Sequence, residues 1–191
     1  METQLPTVIV LASGRGERFA AAGGMGSKLH APLVGGTVLG HTLAAVRASG
    51  LPWHLEDAGH PGMGDSIAAA VRATAQAAGW LILPGDLPLV QPATLQAVAQ
   101  ALAGEVQAVQ PSYQGARGHP VGFAADCGLR LAALSGKGGA APVLRALRET
   151  GSVVDLELDD VGIVTDIDTP EALAAAEVLL AGRRRGPTSA A

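Results

Sequence analysis

The sequence predicts an α/β fold in three layers: a mostly parallel, Rossmann-like sheet with helices on both faces. Three observations carry this prediction. Short apolar runs alternate with helix-spaced segments along the chain. The most apolar run, Trp80-Leu81-Ile82-Leu83-Pro84, reads as a strand buried on both faces, as in parallel sheets. The polar turns after this run and after Thr7-Val8-Ile9-Val10-Leu11 sit where open parallel sheets bind ligands, at the carboxyl ends of strands.

Taken in order, Thr7 to Leu11 is a β-branched strand, followed at once by Ala12-Ser13-Gly14-Arg15-Gly16-Glu17-Arg18-Phe19. The two glycines permit a tight turn with exposed amides, and Arg15, Arg18 and Lys28 place three cations around it, a set suited to a triphosphate. Thr37 to Ser49 has helical spacing and stops at Gly50. Residues 51 to 60 leave room for one short strand around Trp53 to Glu56. His54, Glu56, Asp57 and His60 lie there without the spacing of a known metal site and read as a solvated edge.

Pro61-Gly62-Met63-Gly64-Asp65-Ser66 leads into an Ala-rich helix, Ile67 to Ala78, with Asp65 or Ser66 as its expected cap and a second possible ligand contact before it. Asp86 follows the central strand, and the helix Pro92 to Leu102 carries proline in its first turn. Val106 to Gln110 reads as a strand, Tyr113 to Phe123 as a long polar loop around Arg117, Gly118 and His119. Asp126 to Leu134 and Ala140 to Thr150 are helical, joined by a glycine-rich linker whose Lys137 reads as solvated. Val153 to Leu158 and Gly162 to Val164 read as short strands, and Pro170 to Ala181 as the last helix, capped by Thr169 or Asp168. Residues 1 to 182 are expected to form one domain and 183 to 191 a disordered tail.

A net charge of −4 and 3% aromatic residues argue against nucleic-acid binding, which needs a basic surface and stacking platforms. The lone Cys127 excludes an internal disulfide and a multi-cysteine zinc site and reads as a small buried hydrophobe. Residues 1 to 12 lack a basic leader and a run long enough for a membrane span, so the expected location is the cytoplasm.

The opening loop fits neither of two common phosphate motifs. Gly14-x-Gly16-x-x-Phe19 has phenylalanine where a dinucleotide fold needs its third glycine, and no Gly-x-x-x-x-Gly-Lys-Ser/Thr occurs. What remains is a strand, a glycine loop, Arg18, Lys28, Asp86 after a central strand and Asp168 before the last helix.

This set resembles the nucleotidyltransferases with a MobA-like fold, carried by Val10 to Phe19 with Lys28-Leu29. The segments Gly62 to Ser66, Gly85-Asp86-Leu87-Pro88, Arg117-Gly118-His119-Pro120 and Asp166-Ile167-Asp168-Thr169-Pro170 resemble the branch that cytidylylates the molybdenum cofactor. The resemblance covers residues 6 to 181 and implies a nucleotide-diphospho-sugar transferase type of fold. It implies that Leu11, Ala12, Ser13, Gly14 and Gly16 with Arg18 and Lys28 bind the nucleotide, the amides of Ser13, Gly14 and Gly16 cradling its β- and γ-phosphates, and that Gly62, Gly64 and Ser66 lie against base and ribose. It further implies Arg18, Lys28 and Asp86 as catalytic groups, Asp86 and Asp168 as Mg²⁺ ligands, and Arg117, Gly118 and His119 as the acceptor side. The implied partners are CTP or GTP, a molybdopterin-type acceptor and a client molybdoenzyme. A sugar- or polyol-phosphate acceptor, or a non-catalytic role as a cofactor-binding accessory protein, stays open at this point. Relative to the family, the reach from Arg18 to Lys28 is long and residues 51 to 60 are short.

Overall fold

The computed structural model describes residues 4–14 and 16–184. In chain order the elements are β1 (Thr7–Leu11), α1 (Glu17–Ala21), a 3-10 turn (Lys28–His30), the paired two-residue strands β2 (Pro32–Leu33) and β3 (Gly36–Thr37), α2 (Val38–Ala48) and β4 (Trp53–Glu56). Next come α3 (Met63–Ala73), β5 (Gly79–Pro84), α4 (Pro92–Leu102), β6 (Ala108–Tyr113), β7 (Ala116–Arg117) and β8 (Val121–Ala124). The chain continues through α5 (Gly128–Ala132), α6 (Ala141–Glu149), β9 (Val153–Glu157), a 3-10 segment (Val161–Val164) and α7 (Pro170–Arg184).

The main sheet runs β4-β1-β5-β8-β6, with β7 and β9 also paired to β6. Strands β4, β1, β5, β6 and β9 point one way, while β8 and β7 run against them. The expected mostly parallel sheet is thus present, with one antiparallel strand inserted near its middle. Alternation along the strands divides the core. Val8, Val10, Leu81 and Leu83 pack with Val46 of α2 and Leu95 and Val98 of α4. Ile9, Leu11, Trp80 and Ile82 pack on the other face with Ile67 and Val71 of α3, Leu131 of α5 and Leu147 of α6. A third cluster joins Phe19, Leu33, Val38, Leu89, Ile167 and Ala176, and so ties α1, the β2–β3 hairpin and α7 to the carboxyl edge of the sheet.

Several expectations are corrected. The polar loop over 113–123 contains β7 and most of β8, because Val121 and Phe123 fill the second core face between Ile82 and Ala108. Residues 162–164 form a 3-10 turn, not a strand, set by Asp160, whose carboxylate accepts from the Gly162 amide at 2.9 Å. Helix α3 begins at Met63, with Gly62 at its cap and no side-chain cap bond. Asp65 instead accepts from the distant Gly136 amide at 2.9 Å, and Ser66 donates back to the Gly62 carbonyl at 3.3 Å. Helix α7 runs past residue 182, since Arg183 donates to the Leu89 carbonyl at 2.6 Å and approaches Asp160 at 3.5 Å. The remainder of the expected tail, 185–191, lies outside the described residues. No helix among the described residues is long and apolar enough to cross a membrane.

Candidate active site

The loop after β1 is pinned to the end of β4. The Ala12 amide and the Ser13 hydroxyl both donate to the Glu56 carbonyl, at 2.8 and 3.2 Å. The Ala12 amide is therefore engaged, whereas those of Ser13, Gly14 and Gly16 donate to no other group among the described residues. Arg15 lies outside the described residues. Beyond the loop, burial of Phe19 against Leu33 and Ile167 turns the chain back, so that Lys28 returns beneath the glycines despite its long tether.

The end of β5 supplies the opposing charges. The Gly85 amide donates to the Leu11 carbonyl at 2.9 Å, and the Gly85 carbonyl accepts from the Thr42 hydroxyl at 3.0 Å, which fixes the start of the Asp86 turn. The Asp86 carbonyl then accepts from the Ile167 amide at 3.0 Å, drawing the Asp166-Ile167-Asp168 segment alongside. As a result Lys28 Nζ sits between two carboxylates, 2.5 Å from Asp86 Oδ2 and 2.7 Å from Asp168 Oδ1. Arg18, largely in solvent, binds the other oxygen of Asp168. Asp86 Oδ1 is buried without a hydrogen-bond partner.

These contacts set the charge states. Burial opposes the Lys28 ammonium, but Asp86 and Asp168 outweigh it and hold its pKa above the ordinary 10.5. Burial likewise opposes Asp168, yet Lys28 and Arg18 keep it below 3.8. Asp166, at the exposed rim, is pushed above 3.8 by its partial burial beside Asp168 and Asp86.

The cluster opens into a cleft of about 380 Å³. Of the residues singled out in the sequence, Leu11, Ser13, Gly14, Gly16, Arg18 and Lys28 line it from one side of the chain, and Gly62, Ser66, Asp86 and Asp168 complete it. Ala12, Gly64, Arg117, Gly118 and His119 do not line it. Arg117 is exposed on β7, 4.0 Å from Asp155. Gly118 donates to the Pro111 carbonyl at 2.8 Å and accepts from Gln110 at 2.8 Å. His119 is half-buried with its Nδ1 fully enclosed and unpartnered, and burial lowers its pKa against the pull of the Ile82 carbonyl, Asp86 and Asp166. A second cavity, of about 420 Å³, lies between Thr7 and residues 73–78 and has no charged lining among the described residues.

Two residues read as solvated also line the cleft: His60, whose Nε2 lies 3.2 Å from the buried Glu56 carboxylate, and Lys137. Their sequence signals are a histidine directly before Pro61-Gly62 and a lysine set among Gly136, Gly138 and Gly139.

Residues 44–151, more than half of the chain, match the MobA-like NTP transferase domain, and the protein belongs to this family of nucleotidyltransferases. No curated protein sequence matches the chain. Among solved structures, Rv0371c from Mycobacterium tuberculosis aligns with a TM-score of 0.74 at 23% identity, covering 93% of this chain and 100% of that one. A complex of Rv0371c with manganese aligns at 0.69 and 22% identity, over 92% and 99%. A nucleotidyl transferase from Methanothermobacter thermautotroptrophicus aligns at 0.74 and 22% identity, over 95% and 100%. The molybdopterin-guanine dinucleotide biosynthesis protein A from Archaeoglobus fulgidus aligns at 0.57 and 18% identity, over 92% and 99%. These likenesses establish the α/β nucleotide-diphospho-sugar transferase type of fold.

Proposed function

We propose that the protein transfers a nucleoside monophosphate, CMP from CTP in preference to GMP from GTP, to a molybdopterin-type acceptor and releases pyrophosphate. The observation that carries this reading is the Lys28 bridge between Asp86 and Asp168, facing the open amides of Ser13, Gly14 and Gly16 across one cleft. The molybdopterin acceptor draws its support from the sequence resemblance and from the fold shared with the Archaeoglobus protein named above.

In this reading a terminal phosphate oxygen of the acceptor attacks the α-phosphorus. The bond from that phosphorus to the bridging oxygen of the β-phosphate breaks, and the electron pair leaves with pyrophosphate. No covalent enzyme intermediate is needed, so positioning and charge neutralisation carry the catalysis. The loop amides hold the β- and γ-phosphates, with Gly62 and Ser66 against ribose and base. Lys28 and Arg18 are the groups that meet the negative charge growing on the leaving pyrophosphate, which requires Lys28 to turn from the carboxylates toward phosphate when the nucleotide arrives. The unpartnered, buried Asp86 Oδ1 is the donor a hard divalent cation accepts, and Asp86 and Asp168 together fit Mg²⁺. When bound, the cation supplies neutralisation of the phosphate oxygens. On the acceptor side, exposed Arg117, only loosely paired with Asp155 at 4.0 Å, is the group to meet an anionic acceptor, while Gly118 and His119 shape the strand that presents it.

The test is release of pyrophosphate from each NTP in the presence of Mg²⁺ and purified molybdenum cofactor, with sugar phosphates as alternative acceptors. Release from CTP with the cofactor is the expected result. Turnover of a sugar phosphate alone would replace the acceptor, and no release with any pair from folded protein would sink the proposal.

A further inference from the structure

Residues 135–139 cross from α5 to α6 and bring Lys137 to the cleft. This loop is docked on the start of α3 by a reciprocal pair of bonds. Gly64 donates its amide to the Gly136 carbonyl at 2.8 Å, and Gly136 donates its own to Asp65 Oδ2 at 2.9 Å. The approach is so close that side chains at the docking point are excluded. A Cβ on Gly62 would lie 2.4 Å from the Gly136 backbone, and one on Gly64 would lie 2.7 Å from the Ser135 carbonyl oxygen. Glycine at 62 and 64 is therefore demanded by loop docking, whatever else Gly62 does toward a ligand, and the consequence of that docking is the position of Lys137.

The charge of Lys137 has no partner there. Lys28 is engaged by Asp86 and Asp168, Arg18 by Asp168, and His60 lies against Glu56. Among the described residues Lys137 forms no ion pair and no hydrogen bond, although Asp65 sits on the adjoining turn, because Asp65 Oδ2 is directed to the Gly136 amide. Thus, among the described residues, an unpaired cation is held along a cleft whose other lysine and arginine, Lys28 and Arg18, are paired with carboxylates, and its charge is available to an anionic ligand that enters.

We infer that Lys137 is a phosphate-binding residue: its ammonium contacts a phosphate oxygen of a ligand seated in the cleft. The inference rests on the proposed reading of the cleft as a nucleotide site. The phosphate comes from one of two sources, the triphosphate or the acceptor, and the same chemistry serves both.

The experiment measures the Kd of CTP and of pyrophosphate by calorimetry, and the KM of the acceptor, for the wild type, Lys137→Ala and Lys137→Arg, with thermal melts of each. Lys137 is exposed, so all three are expected to fold alike. Loss of one charge-assisted contact should weaken the phosphate ligand about tenfold in Lys137→Ala, with Lys137→Arg restoring most of it. A tenfold change in the Kd of CTP assigns the contact to the triphosphate, and the same change confined to the acceptor KM assigns it to the acceptor. A wild type that binds CTP alongside a Lys137→Ala variant unchanged for every ligand overturns the inference alone. A wild type that binds no nucleoside triphosphate overturns the reading of the cleft and the inference with it.

Discussion

Two stretches of this chain pair glycine with cationic side chains, and they do opposite things. In the loop after β1, the amides of Ser13, Gly14 and Gly16 stay open and a Cβ on Gly14 would meet nothing within 4 Å. In Arg117-Gly118-His119, both backbone groups of Gly118 are bonded within the protein, and a Cβ there would lie 2.5 Å from the Ile163 carbonyl oxygen. The first stretch has polar groups left over for a ligand, while the second has used its own to close the fold. Residue types alone do not separate the two; the bookkeeping of backbone hydrogen bonds does.

The contrast breaks most sharply at the open end. Asp86→Asn should cut turnover by about 10²–10³, the cost of removing a group that organises transition-state charge, with little change in the circular dichroism spectrum. Lys28→Met should lower turnover by about 10². It should also destabilise the unliganded protein by on the order of 2 kcal/mol, since Asp86 and Asp168 are left without the shared ammonium. The pH dependence follows. Lys28 is held above 10.5, so its share of stability is complete below 10.5 and is lost as pH rises through the folded-state value. Asp168 is held below 3.8, so its share is present above 3.8 and is lost as pH falls through the lower value. Melts of Lys28→Met across pH should show both dependences flattened.

At the closed end the expected effects are on stability. Gly118→Ala should cost about 1–3 kcal/mol in chemical denaturation, because the added methyl meets the Ile163 backbone. Gly14→Ala should stay within about 0.5 kcal/mol of wild type and weaken the nucleotide instead. Arg117→Ala is the mildest change: stability within about 0.5 kcal/mol, an unaltered KM for the nucleotide and a rise of a few-fold in the acceptor KM, read from steady-state kinetics.

What was legible in the sequence divides along the same line. Strands β1 and β5 announce themselves as apolar runs, and α2 shows in its helical spacing, while its cap, Thr37 accepting from the Gly40 amide at 3.0 Å, emerges only in the structure. Strand β8 is hidden because Gly122 interrupts its apolar pattern and its partners β5 and β6 lie far off in sequence. Helix α1 is too short for any periodicity to show. Of the candidate site, the glycine loop, Arg18, Asp86 and Asp168 could be picked out because each follows or precedes a recognisable element. The long reach to Lys28 obscured its place, which depends on Phe19 joining Leu33 and Ile167 in a distant cluster. The local signals of His60 and Lys137 do not fix their place in the cleft: one is held by buried Glu56, the other by a loop docked on Gly62 and Gly64.

The central claim is that Asp86 and Asp168, bridged by Lys28, form the metal and triphosphate site. Electron paramagnetic resonance of Mn²⁺, titrated into wild type and Asp86→Asn with and without CTP, tests it most directly. The expected result is weak binding to the unliganded wild type, where Lys28 neutralises both carboxylates, tightening by about tenfold or more with CTP and lost in Asp86→Asn. Equal Mn²⁺ affinity in wild type and Asp86→Asn, with CTP present, would contradict it.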